Sequence, residues 1–127
     1  MRASVGLVVS CVGLAPVSPI AAAPQAEPTV RITEFLARND TGLQAPDGTT
    51  PDWIELHNPT ERNVELEGWY LTDDPYRPRR WRFPACSLRP NDYLVVFASG
   101  EDGVDADGGL HTDFRLGGDG EYLALIR

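Results

Sequence analysis

Apolar residues in this chain come in brief runs, each closed by glycine, proline or aspartate before it reaches a comfortable helical length. The stretch 66–74 sets the pattern: Gly68 leads into Trp69-Tyr70-Leu71-Thr72, and Asp73, Asp74 and Pro75 lead out. Each punctuating residue forces a turn and each bulky residue fits a pleated sheet, so this stretch is expected to be a central strand with Trp69 as the core anchor. At 30–37 the β-branched start, Val30, Ile32 and Thr33, predicts a strand, although Ile32, Phe35 and Leu36 also fit one stripe of a short helix. At 53–58, Ile54 and Leu56 alternate with Trp53, Glu55 and His57, which places the two aliphatics on one face.

Further strands are expected at 63–66 and 80–83, with Trp81 and Phe83 on one buried face of the latter. The most apolar run after the N-terminal region is 93–98, which needs cover on both sides or a place in the middle of a sandwich. A final hairpin is expected from 110–116 and 121–126, turning at Gly117-Gly118-Asp119-Gly120. The stretches 39–52 and 99–109 are too rich in turn residues for regular structure. The result is about seven short strands with turn signals roughly every 8–12 residues, the pattern of an all-β sandwich. Its expected core comprises Ile54, Leu56, Trp69, Leu71, Trp81, Leu94 and Val96.

The N-terminus follows a different pattern. Arg2 precedes an uncharged stretch, 3–26, whose apolar part at 5–15 suits the middle of a signal peptide and is too short to span a bilayer. Ala21 and Ala23 supply the small residues of a cleavage site. Residues 1–23 are therefore expected to be an export signal, 24–29 a short linker and 30–127 the domain, working in the periplasm, at the cell surface or outside the cell. A disordered Pro/Ala-rich leader is the alternative; a lipoprotein signal at Cys11 fits less well, because the apolar run before it is so short. Removal of 1–23 leaves ten arginines against 19 acidic residues, a net charge of −9, which is a poor surface for nucleic acid. It also leaves Cys86 without an intramolecular partner, so the domain must hold by packing alone. No stretch of the mature chain has the length and apolarity of a transmembrane helix.

Candidate chemistry is sparse. Neither Ser87 nor Ser99 stands in a Gly-x-Ser-x-Gly elbow. His57, His111 and Cys86 could in principle hold zinc, but no two of them fall at ligand spacing, and the expected places are an exposed strand face for His57 and a hairpin for His111. Carboxylates recur at Asp73-Asp74, Glu65 with Glu67 and Glu34 with Glu55; Glu55, in mid-strand, is expected to accept hydrogen bonds from loop backbone. The acidic loop 101–109 carries calcium-site candidates in Asp102, Asp105 and Asp107. Against the EF-hand template Asp105, Asp107 and Gly108 fit positions 3, 5 and 6, but Gly103 and Phe114 fall where the end ligands belong. Arg77, Arg79, Arg80 and Arg82 form a basic cluster that charge pairing with Asp73 and Asp74 explains, with a polyanion patch as the alternative. Trp53, Tyr70 and Tyr76 could together make a sugar-stacking face.

Five blocks in order carry a resemblance. They are Ile32-Thr33-Glu34-Phe35; Asp52-Trp53-Ile54-Glu55-Leu56-His57-Asn58-Pro59; Leu66-Glu67-Gly68-Trp69-Tyr70-Leu71-Thr72-Asp73-Asp74; Trp81-Arg82-Phe83-Pro84; and Tyr93-Leu94-Val95-Val96-Phe97-Ala98-Ser99-Gly100. Together they resemble the lamin tail domain family, in particular its bacterial members in exported proteins. The resemblance implies an immunoglobulin-like β-sandwich over 30–127. It also implies one or two further strands after the block at 121–126, so this chain is expected to be a piece of a longer protein with an open sheet edge and further domains downstream. Unlike antibody-type domains, this one gives Trp69 no disulfide to pack on, and Leu56, Leu94 or Val96 are its expected neighbours. The implied function is a non-catalytic exported module, without a required cofactor, for adhesion, protein interaction or positioning of neighbouring domains. A protein or cell-surface partner is expected. A carbohydrate- or calcium-dependent binding domain, and the accessory domain of an exported hydrolase, are the alternatives.

Overall fold

In a computed structural model the chain is described at residues 19–21, 29–120 and 122–127. The expected export signal and linker, 1–29, fall almost entirely outside these. Ten strands follow: β1 (Arg31–Leu36), β2 (Asp52–His57), β3 (Val64–Glu65), β4 (Tyr70–Thr72), β5 (Trp81–Arg82), β6 (Ser87–Leu88), β7 (Tyr93–Ala98), β8 (Gly103–Val104), β9 (Leu110–His111) and β10 (Ala124–Ile126). The described residues contain no helix. At 31–36 the β-branched residues therefore prevail over the helical stripe.

Five strands form one sheet in the order β1-β2-β7-β9-β8, three form a second in the order β10-β4-β5, and β3 pairs with β6. All pairings are antiparallel except that of β7 with β9. In register, Ile54 lies opposite Val96 and Leu56 opposite Leu94, so one face of the large sheet is aliphatic. Ile54, Leu56 and Val96 on that face are fully buried, as are Leu66, Leu71 and Phe83 from the elements packed on it. Each such side chain contributes about 1.5–3 kcal/mol by leaving water. Trp81 is buried and meets Phe83 edge-on, with ring centroids 4.9 Å apart. Leu94 is half-buried at the edge of the cluster.

Several expectations need correction. The stretch 66–74 is not one strand. Gly68, at φ 81°, occupies the third position of a turn closed by the Trp69 amide donating to the Leu66 carbonyl at 2.9 Å, and only Tyr70–Thr72 is extended. Trp69 follows that turn and is buried in the core cluster, on the side that borders a groove. Its indole is 9% exposed, lines a groove of about 950 Å³ and carries the Arg127 guanidinium 5.6 Å from its ring. Nor do 110–116 and 121–126 form a hairpin. β9 pairs with β7 and β8, whereas β10 crosses to the other sheet and pairs with β4. The hairpin at this end is β8–β9, inside the stretch expected to be irregular, and the Asp105 amide bonded to the Gly109 carbonyl at 2.9 Å closes it. β7 is central in its sheet, yet its outer face is covered only in part: Phe97 is 8% exposed, Tyr93 59%.

Two buried asparagines hold the loops. Asn39 donates from Nδ2 to the Leu43 and Pro51 carbonyls at 2.7 and 3.0 Å, and its Oδ1 accepts the Gly42 amide at 2.9 Å. Asn58 donates to the Arg62, Leu88 and Arg89 carbonyls at 2.8, 2.8 and 3.0 Å, and its Oδ1 accepts from the Thr60 amide and hydroxyl. Buried backbone groups that find no partner in a ladder are satisfied here by side-chain amides instead.

Candidate functional site

The 39–51 loop and the β8–β9 hairpin lie either side of a cleft of about 440 Å³. Ala45, Pro46, Val104 and Ala106 supply its apolar walls, and Asp47 and Glu101 supply charge. Ala45 is buried, and a tight turn holds it, with the Gly48 amide donating to its carbonyl and its own amide to the Thr49 carbonyl, both at 2.9 Å. Asp47 accepts from the Thr49 hydroxyl and amide at 2.6 and 2.9 Å. Those bonds, with a smaller contribution from His111, hold its carboxyl below the ordinary carboxylate range.

His111 stands at the back of the cleft. β9 places it opposite Phe97 of β7 on one side and Gly103 of β8 on the other. The residue is 6% exposed, and its ring lies 5.1 Å from that of Phe97. Nδ1 is 2.8 Å from Ser99 Oγ, and Nε2 is 2.9 Å from Asp105 Oδ2. An ionised carboxylate only accepts, so the ring proton belongs on Nε2; in the neutral imidazole Nδ1 then accepts the Ser99 hydroxyl proton. Asp105 Oδ1 also accepts the Asp107 and Gly109 amides at 2.9 and 2.8 Å. The His111 hydrogen bond, ahead of these backbone bonds, pulls the Asp105 carboxyl below its ordinary value.

Ser99, His111 and Asp105 thus form the row of residue types that a serine hydrolase uses. Their surroundings suit a different task. Ser99 is 8% exposed, and its Oγ also accepts the Glu101 amide at 3.2 Å. A nucleophile needs an accessible oxygen whose lone pairs are free to attack. What the row does physically is tie the end of β7 to β9 and to the 105–109 turn, fixing one wall of the cleft.

Other sequence candidates are dispersed. Asp102 Oδ1 accepts the Trp81 indole N–H at 2.9 Å, and Asp105 is committed to His111. Asp107 is exposed and contributes its amide to the turn. Among the described residues no group of three or more histidine, cysteine or acidic side chains is arranged to hold a metal ion. Cys86 is half-buried, and its thiol is pushed up by burial and then by Glu65. His57 is half-buried and stacks on Tyr93 at 4.3 Å. Glu55 accepts from the Thr33 hydroxyl at 2.7 Å, a neighbouring-strand partner and not loop backbone. In the basic cluster, Arg80 pairs with Asp73 and Asp113, while Arg79 lies 6.0 Å from the Tyr70 ring. Trp53 belongs to the large sheet and Tyr70 to the small one, so they share no stacking face with Tyr76.

The His111 network has no local signature, because Ser99 and His111 lie on different strands that meet only through the parallel β7–β9 pairing. The one available cue was the position of His111 between Leu110 and Thr112, in a stretch that ends up wholly buried.

Packed antiparallel-rich sheets with no helix among the described residues, and a cleft between a loop and a hairpin, define an immunoglobulin-like β-sandwich module. The family model described as Lamin Tail Domain matches residues 23–127, and the chain belongs to that family of immunoglobulin-like, non-catalytic domains. Comparison with curated proteins and with solved structures gave no match.

Proposed function

We propose that this chain is an exported, non-catalytic interaction module whose protein partner docks at the cleft between the 39–51 loop and the β8–β9 hairpin. The observation that carries the reading is the cleft itself: apolar walls with acidic side chains around them, backed by a histidine that two hydrogen bonds hold in place. A preformed site of this kind binds without a large ordering cost. Asp47 and Glu101, on a chain of net charge −8, suit a partner surface that presents arginine or lysine beside apolar side chains. Adhesion, or the positioning of neighbouring domains, is the use to which such docking would be put. Export rests on the pattern of residues 1–23.

The test is amide NMR of the ¹⁵N-labelled domain titrated with short peptides carrying arginine and leucine. Shifts confined to residues 45–47 and 101–106, and abolished by Asp47→Lys, are the expected result. Shifts spread over the whole acidic surface, or none with any basic peptide, would remove the cleft as the docking site.

A further inference from the structure

β1 is the outer strand of the five-stranded sheet, and among the described residues nothing pairs with its free edge. Five of its six residues are exposed and Ile32 is half-buried. Phe35 is 54% exposed, Leu36 38% and Leu43 44%, so partly exposed apolar side chains flank a row of unpaired backbone groups. Proteins usually protect such an edge with charge, proline, a bulge or cover; β1 has Arg31, Glu34 and a bulge but no lysine or proline.

The bulge in β1 gives this edge an unusual pattern. Ile32 lies opposite Leu56 and Phe35 opposite Ile54, so both belong to the inner face of the sheet. Arg31, Glu34 and Leu36 lie opposite His57, Glu55 and Trp53 and belong to the outer face. Thr33, the extra residue, bonds the outward Glu55 carboxylate and so also belongs outside. The order along the strand is out, in, out, out, in, out, which reads the same in both directions. A regularly alternating partner strand would match only half of it. A second β1 running antiparallel matches all of it, with Arg31 opposite Leu36, Ile32 opposite Phe35 and Thr33 opposite Glu34.

Charge agrees with that register. Glu34 and Glu55 lie directly opposite each other on β1 and β2, a like-charge pair that costs stability. Among the described residues Arg31 forms no ion pair. In the antiparallel arrangement, Arg31 of each copy is diagonal to Glu34 of the other, within reach of a long side chain. We propose that two copies of this chain associate through β1, their large sheets joined into one across a two-fold axis between Thr33 and Glu34. The contact is isologous, so the assembly closes at two copies and does not run on into a fibre.

The test is sedimentation equilibrium of the 127-residue chain over a concentration series. Hydrogen exchange at residues 31–36 would be followed on the same samples. A reversible monomer–dimer equilibrium is expected, with exchange across β1 slowing as dimer forms. Phe35→Asp weakens the dimer by roughly tenfold or more, as loss of an aromatic anchor does, with retention of the fold checked by circular dichroism. Arg31→Glu weakens it too, and the double variant Arg31→Glu with Glu34→Arg restores it. A chain that stays monomeric throughout the series, or a dimer indifferent to both single substitutions, would overturn the proposal.

Discussion

His111 Nε2 lies 2.9 Å from Asp105 Oδ2, and this contact joins a sheet residue to the turn that shapes the cleft wall. Because Asp105 also holds the Asp107 and Gly109 amides, its carboxylate is the centre on which the whole 105–109 turn closes.

The pH dependence follows from the sign of the Asp105 shift. Its carboxyl is held below the ordinary value in the folded chain. The unfolded chain therefore takes up the proton first as pH falls, and the contribution to stability is complete above about pH 4, the unperturbed carboxylate value, and lost as pH drops through the lower folded one. Melting temperatures measured from neutral pH into the acid range should fall in that window. The fall should be shallower for Asp105→Asn, which has no carboxylate there to protonate.

Ser99→Ala removes the donor to His111 Nδ1 and the acceptor for the Glu101 amide. The domain should remain folded and lose about 1–3 kcal/mol, the cost of leaving buried polar groups unpartnered. Denaturant unfolding measures it.

Asn58→Leu tests the other buried clamp. Three carbonyls lose their donor at once, so the loss should exceed that of Ser99→Ala and reach about 3 kcal/mol or more in the same unfolding measurement.

Leu71 and Trp69 are both buried, Leu71 completely and Trp69 beside a groove. Leu71→Ala should cost about 2–5 kcal/mol, because Leu71 is fully buried between strands. Trp69→Leu, although it removes more atoms, should cost less, since the indole borders a groove and Arg127.

The sequence revealed the alternation within β2, the shared face of Trp81 and Phe83, and the turn-rich character of 39–51, because those are local properties of short stretches. What was not legible depends on long-range pairing. Nothing near His111 in the chain indicates that β9 turns toward β7 instead of toward β10, and hence that Ser99 would meet it. Gly68 reads as the start of a strand, whereas its positive φ makes it part of a turn, and the extended stretch shrinks to Tyr70–Thr72. The buried asparagines show the same limit. Asn39 and Asn58 look like ordinary loop residues until the carbonyls that converge on them are seen.

That the Ser99–His111–Asp105 row braces a binding surface is tested most directly by the ring-nitrogen spectrum of ¹⁵N-labelled His111 near neutral pH. The expected spectrum has its proton on Nε2, with slow exchange, and Ser99→Ala leaves that proton in place. A proton on Nδ1 with none on Nε2, or a ring whose nitrogens average rapidly, would mean that His111 is not fixed between these partners and that the cleft has no rigid back wall.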